Sequence, residues 1–433
     1  MLIVPVIQKD NFDILILTTY DSDGAGLHSI YQKNLLKKLG YSVQIICLEK
    51  KSDDINTKGL LKKKGWELFK YKLKRKKYNL LYRKMSERYS FIHAYLPNQK
   101  KILRSSVWPG RCKLIICNYL SGMLTFKTLH NIWLKYKKVP IMFYAVDMEP
   151  YTGGCHYSRD CKKYQKVCSG CPALSKSKTK QIENYFLEKQ KYLKLFKNHV
   201  VVASSEEMNN QLKKSSLFSK SDLRKILMPC DKNVYGKYNK TKRDLLRKSF
   251  GWQESFVIMI RSSSEERKGC KEFIKALNLL AKKDPIKLSR IQLVLVGDDF
   301  LNKELSNLNL NIFSAGYIKQ KSKLADFYCA ADIFVNPSLA DSGPSMLAQA
   351  TMSGTPSITN NVGLARDLIS SNGIILKNKK VEELFKAISK MMDLSKNELY
   401  KMRTLSRKKG IELISEEKYL SINKKLMREF VRN

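Results

Sequence analysis

Short apolar runs recur along this chain, and between most of them lie stretches in which apolar residues return every three or four positions. Phe12 to Thr19, FDILILTT, predicts a buried strand. The following YDSDGAGLHSIYQKNLLKKLGY predicts a Gly-containing loop and a helix with Leu27, Ile30, Tyr31, Leu35 and Leu39 on one broad face, closed by Gly40. SVQIICL predicts the next strand, and a basic segment rich in Lys, Tyr and Leu follows to about Ser90. CKLIICNY and VPIMFYAV predict two more strands, separated by the helix-like GMLTFKTLHNIWLKY, and VVVASSEEM and KILMPC continue the alternation. Strands that alternate with helical segments build a parallel sheet covered on both faces.

From Asp231 to Lys242 (DKNVYGKYNKTK) the pattern lapses into a polar link, and a second series begins: SFVIMIR, the helix KGCKEFIKALNLLA, IQLVLVGDD, a helix around Ala325 to Ala331, DIFVNPS, and GIIL before two closing helices. The expected fold class is α/β: two Rossmann-like domains, residues 1–232 and 233–433, facing each other across a cleft. Within the second series, Asp332 to Asn361 reads as strand, loop, helix, strand. Such a loop lies at the carboxyl edge of an open sheet, where the new helix aims free N–H groups at an arriving anion.

Composition changes this picture in one respect. The formal net charge is +42, which predicts attraction to an acidic membrane surface, nucleic acid or phosphorylated substrates. Lys outnumbers Arg, so much of that charge reads as solvated surface, with a share concentrated between Lys50 and Arg104. With 43% hydrophobic and 10% aromatic residues the chain is not disordered. The longest apolar runs are strand length and the N-terminal MLIVPVIQKDNF lacks signal-peptide features, so the expected location is the cytoplasm, peripheral at the inner face of a membrane. Cys47, Cys112, Cys117, Cys230, Cys270 and Cys329 lie in apolar contexts and read as ordinary buried thiols.

Several residues could carry chemistry. Gly24 and Gly26 allow close backbone approach at a helix start, to a phosphate or a sugar, or serve a tight turn. In Asp21-Ser22-Asp23 the acids read as N-caps rather than ion ligands. Arg261 ends a strand and Lys268 opens the next helix, a placement from which two cations could neutralise a leaving diphosphate. Asp341 and Gln349 are eight residues apart, roughly 12 Å along a helix at about 1.5 Å per residue. That suits two ends of one ligand, with Asp341 on sugar hydroxyls, Gln349 on a ribose hydroxyl, and Gly343, Pro344, Ser345 and Met346 capping phosphates by their backbone. Individually, an N-capping Asp341 and a surface Gln349 are the plainer readings. His28 lines the cleft, caps its helix or lies on the surface. Four cysteines, Cys155, Cys161, Cys168 and Cys171, crowd the loop 147–174 with spacing C-x5-C-x6-C-x2-C. In a reducing compartment they read as ligands of a structural Zn²⁺, with His156 able to replace one, or as a thiol-rich loop.

Taken in order, Gly24-Ala25-Gly26, Arg261 with Lys268, Asp341 with Gly343-Pro344, and Gly354-Thr355-Pro356 resemble the retaining GT-B glycosyltransferases of family 4, over most of the chain. TGGCHY, from Thr152 to Tyr157, is similar to a loop in one subgroup of that family. Where the family carries two glutamates separated by seven residues, this chain has Asp341 and Gln349; where the subgroup has an HD pair, it has Val146 and Asp147.

The resemblance implies an acceptor-side N-terminal domain, a C-terminal domain that binds a nucleotide sugar, and a last helix, about residues 415–433, returning to the N-terminal domain. It implies transfer of the sugar with retention to a lipid-linked or cell-surface polysaccharide or lipopolysaccharide acceptor, with no cofactor needed for the chemistry. Arg261 and Lys268 would stabilise the departing diphosphate and Asp341 would orient the donor sugar. Asp147 is the spare carboxylate to test as a base. On this reading nucleic acid is not an expected partner. Two other readings stand beside it: a nucleic-acid or polyanion binding protein built on the charge and a zinc knuckle, and a donor-binding glycosyltransferase homologue with weak or no turnover.

Overall fold

The computed structural model of the protein describes residues 10–61, 65–83, 96–174, 176–343 and 345–431. It divides into two compact units: Met1–Ser204 with Met208–Ile226 and Leu420–Asn433, and Leu227–Tyr419 with Ser205–Glu207.

In the first unit seven strands form one parallel sheet: β1 (Ile14–Tyr20), β2 (Val43–Glu49), β3 (Thr57–Leu61), β4 (Leu114–Tyr119), β5 (Ile141–Ala145), β6 (His199–Ala203) and β7 (Asp222–Lys225), in the order β3-β2-β1-β4-β5-β6-β7. In the second, six parallel strands run β10-β9-β8-β11-β12-β13. They are β8 (Phe256–Ser262), β9 (Ile291–Gly297), β10 (Asn311–Gly316), β11 (Ile333–Asn336), β12 (Ser357–Asn360) and β13 (Gly373–Leu376). The strand order reverses between β1 and β4, and again between β8 and β11. Loops leaving the carboxyl ends of those four strands therefore diverge and leave a crevice at each sheet edge.

The apolar runs are continuous because both sheet faces are covered. Along β8, Ile258 and Ile260 point into one core with Phe273 and Leu277, while Val257 and Met259 point into another with Phe327 and Leu347. Helix α1 (Asp23–Lys38) departs from the broad apolar face expected for it. Leu27 is 59% exposed, and the buried face is His28, Ser29, Gln32, Lys33, Leu35 and Leu36. The reason is a polar network: the Asn118 side-chain amide on β4 donates to Ser29 Oγ at 2.8 Å and Gln32 Oε1 at 2.9 Å, and Lys33 pairs with Asp54.

Three further differences concern element placement. The seventh strand precedes the expected KILMPC, and the edge strands β3 and β10 were not anticipated. The chain closes with three helices, Val381–Met392, Lys396–Ile414 and Glu416–Phe430, rather than two. No helix among the described residues is long and apolar enough to cross a membrane.

Candidate active site

A buried charge cluster of the second unit lies where β8 and β11 part. Between β8 and α3 (Cys270–Lys283) the chain makes a short 3-10 turn, Glu266–Lys268, ending at Gly269. Gly269 has φ +69°, and a Cβ there would sit 1.9 Å from the Pro337 carbonyl oxygen. Only glycine lets this turn press against the segment leaving β11. The two are then stitched together by the Leu339 N–H, which donates to the Arg267 carbonyl at 2.8 Å.

That contact sets Lys268 beside Asp341, Nζ to Oδ2 at 2.6 Å, with Arg267 Nη1 at 3.5 Å from the same oxygen. The Gly343 N–H donates to Asp341 Oδ1 at 3.3 Å. Both side chains of the close pair are about nine-tenths buried. Burial pushes the Lys268 ammonium down, an effect that Asp341 opposes. Burial would raise the Asp341 carboxyl, but Lys268 and Arg267 outweigh it and hold the group below its ordinary value. Arg261, at the end of β8, is exposed and enters no ion pair among the described residues. Lys379 adds a further cation here, its Nζ donating to the Leu339 carbonyl at 2.6 Å.

Helix α4 (Ser345–Met352) follows, with Ser345 exposed, Met346 half-buried and Gly343 open at its entrance. Pro344 lies outside the described residues. Gln349 is half-buried, and its Oε1 accepts a hydrogen bond from buried Tyr328 at 3.2 Å. Its carboxamide N–H groups are therefore the donors it has left for a ligand. Sequence reasoning brought Arg261, Lys268 and Asp341 to one edge but missed Arg267, although the run Glu266-Arg267-Lys268 contained it, and Lys379, far along the chain.

In the first unit, Gly26 is required by space: a Cβ would lie 2.7 Å from the Tyr20 carbonyl oxygen and from the Asp21 carbonyl carbon. Gly24 faces open space. Asp21 does not cap its own helix. Its carboxylate accepts from the Lys51 and Ser52 N–H groups at 2.8 and 2.9 Å and from Ser52 Oγ at 2.6 Å, tying the β2 exit loop to the β1 exit loop. His28 is neither cap nor surface residue. It is buried against Tyr144, ring centroids 5.2 Å apart, its two nitrogens have no partner among the described residues, and burial lowers its pKa to about 3.

Asp147 is buried and fully engaged. Oδ2 lies 2.6 Å from His156 Nδ1, and Oδ1 accepts the Glu149 N–H at 2.8 Å. The carboxylate expected to be spare thus latches the TGGCHY loop to the sheet edge, because His156 folds back onto it. Burial opposes charge on His156, but the Asp147 carboxylate outweighs it and raises the imidazole pKa. The ring also stacks on Tyr119 at 5.5 Å. Lys189 reinforces the latch from a helix that sequence reasoning did not single out, donating to the Glu149 carboxylate at 2.6 Å and to the Thr152 carbonyl at 3.0 Å.

Within the same loop the Cys168 thiol accepts the Gly153 N–H at 3.2 Å, and burial pushes the Cys155 and Cys168 thiols up, Cys168 to about 11. Among the described residues no three or more His, Cys, Asp or Glu side chains are placed to hold a metal ion. Cys155, Cys161, Cys168 and Cys171 lie near enough for their thiols to act on one another's charge, and Cys168 also accepts from a backbone donor. The six scattered cysteines are buried free thiols.

Residues 242–412, a segment that includes Arg261, Lys268, Asp341 and Gln349, match the family model described as glycosyl transferases group 1. No curated protein matches the chain in sequence. Its fold is similar to that of Anabaena HepE, solved in complex with UDP and glucose, at 15% identity, TM-score 0.65, covering 96% of this chain and 99% of that one. Sucrose-phosphate synthase from Thermosynechococcus elongatus is similar at 15% identity and TM-score 0.65, covering 96% and 98%. WaaG, a glycosyltransferase involved in lipopolysaccharide biosynthesis, is similar at 13% identity and TM-score 0.59, covering 94% and 99%. The fold is GT-B: two parallel α/β sheets of seven and six strands.

Proposed function

We propose that this protein is a retaining glycosyltransferase of family 4 that moves a sugar from a nucleotide diphosphate donor to an acceptor hydroxyl. The observation that carries the reading is the cationic edge of the second sheet, where Lys268 and Arg267 pair with Asp341 and the exposed Arg261 is near enough for its charge to act on Lys268. A glycosidic bond to a diphosphate breaks with negative charge building on the leaving phosphate. Cations fixed in advance in a poorly solvated pocket stabilise that charge without having to reorganise.

In this reading Arg261 and Lys268 receive the diphosphate and the backbone of Gly343, Pro344, Ser345 and Met346 caps it with N–H groups, Pro344 excepted, which has none. Asp341 has two functions. It holds Lys268 in place before the donor arrives, and its carboxylate can turn to accept from sugar hydroxyls once the diphosphate competes for the ammonium. Gln349 offers amide donors to the ribose. In a same-face displacement the leaving phosphate itself takes the acceptor proton, so no side-chain base is required.

The first unit is the acceptor-side unit, with Gly24, Gly26 and the latched Asp147 loop at its sheet edge, and the acceptor class is a lipid-linked or cell-surface polysaccharide or lipopolysaccharide. HepE binding UDP-glucose and WaaG acting in lipopolysaccharide biosynthesis support the donor and acceptor classes by fold likeness. The test is consumption of a panel of UDP-, GDP-, ADP- and dTDP-sugars, with retention read from the anomeric configuration of the product. Consumption of at least one donor, with the product configuration matching the donor, supports the reading. Tight donor binding with no turnover would leave a binding homologue instead.

A further inference from the structure

Helix α2 (Trp66–Arg83) is anchored on one side only. Leu68 and Tyr71 are buried in the first-unit core, the Arg75 guanidinium lies 5.2 Å over the Tyr20 ring, and Lys72 reaches Glu49 at 3.0 Å. At about 100° per residue these anchors centre on one face, and Trp66, Phe69 and Leu73 fall together within about 60° on the opposite face. Among the described residues that opposite face is uncovered: Trp66 is 65% exposed, and Phe69 and Leu73 are each 51% exposed. Trp66 and Phe69 stack at 5.6 Å, and the Lys70 ammonium sits 4.9 Å over the indole. Exposed lysines flank the stripe on both sides, Lys70, Lys74 and Lys77 on one and Lys76 on the other. Glu67 is the only acid in the helix sequence.

We infer that this face of α2 docks on an anionic phospholipid bilayer, with Trp66, Phe69 and Leu73 entering the interface and the flanking lysines meeting lipid phosphates. Isolated exposed apolar residues need no explanation, but three bulky ones aligned opposite a seated face form a continuous patch that solvent does not favour. The lysine stems extend along such a stripe while their ammonium groups stay at headgroup level, and indole suits the boundary between the two. A second copy of this chain is a poor occupant, since two such lysine borders repel and the whole chain carries +42. A nucleic acid would use the lysines but has no complement for Leu73.

This inference goes beyond sugar transfer and does not depend on it. Trp108, Trp133 and Trp252 are at most 4% exposed, so of the four tryptophans Trp66 alone reports on a surface event. The full chain is mixed at physiological salt with vesicles of phosphatidylcholine alone or with roughly a third phosphatidylglycerol. Anionic vesicles should shift the emission to the blue and carry the protein with them on flotation, and neutral ones should do so much less. The double variant Phe69→Glu/Leu73→Glu alters exposed positions only, and should lower vesicle association at least about tenfold with unchanged thermal unfolding. Lys70→Glu/Lys77→Glu should weaken binding and reduce its salt dependence. The inference is overturned if anionic vesicles leave the emission unshifted, if the Phe69/Leu73 double variant associates as the parent does, or if the face proves to prefer single-stranded RNA to vesicles in competition.

Discussion

Asp147 after β5 and Asp341 after β11 are buried carboxylates that follow the ends of parallel strands, one in each unit. Each accepts one backbone N–H from two residues onward, Glu149 and Gly343 respectively. Their remaining partners differ. Asp147 is closed by one imidazole, which itself stacks on Tyr119, and the group spends its acceptors on holding a loop. Asp341 is held by two permanent cations, with a third, Arg261, exposed nearby. A carboxylate–imidazole pair in a filled loop has little to exchange with a ligand. A carboxylate outnumbered by cations sits in a locally positive pocket that a polyanion can enter by replacing it. A carboxylate in the loop that leaves a strand is thus built as a latch in one unit and into a cluster of cations in the other.

The largest effect should come from removing the close cation of that cluster. Lys268→Met should lower kcat/KM for transfer by about 10² to 10³, near 3–4 kcal/mol of transition-state stabilisation, measured by donor consumption at several acceptor concentrations. Next is the turn that positions it. Gly269→Ala places a methyl against the Pro337 carbonyl at a positive φ, and should cost about 2–4 kcal/mol in urea unfolding together with most of the activity.

On the latch side, His156→Ala leaves Asp147 buried with one hydrogen bond, and should cost about 1–3 kcal/mol while nucleotide affinity of the folded protein stays within about twofold. The pH dependence of stability should follow Asp341. Its folded carboxyl is depressed, so its contribution is complete above the unfolded value of about 3.9 and is lost as the pH falls through the folded value. Urea midpoints between pH 5 and pH 3 should therefore fall less steeply in Asp341→Asn than in the parent. The smallest effect should be that of Asp147→Asn on transfer, within about threefold. A general base would lose about 10² to 10⁴, so a loss of that size would make the latch a reacting group.

Much of the fold was legible because central parallel strands, buried on both faces, must be nearly continuously apolar, as Phe256–Ile260 and Leu293–Val296 are. The edge strands β3 and β10 carry no such pattern; β10 is mostly half-exposed or exposed. The α1 face misled because Asn118 turns Ser29 and Gln32 inward, a contact across a long sequence separation that helical spacing cannot express. Within the candidate site, Arg261, Lys268 and Asp341 could be placed from strand ends alone. That Lys268 pairs with Asp341 depends on Gly269 passing under Pro337, and that His156 closes on Asp147 depends on the path of the loop between them. Neither pairing has a local signature. The aligned face of α2 was present in the sequence as spacing, but its exposure became evident only once Leu68 and Tyr71 were seen to take the opposite side.

The central claim is that the cationic cradle around Asp341 works on a nucleotide diphosphate sugar, and the most direct measurement is donor consumption across a nucleotide-sugar panel by the parent protein and Lys268→Met side by side. The account predicts that the parent consumes at least one donor and that Lys268→Met, folded by circular dichroism, consumes it about a hundredfold or more slowly. A folded Lys268→Met that turns over the donor as fast as the parent, or a parent that neither binds nor consumes any nucleotide sugar, would contradict it.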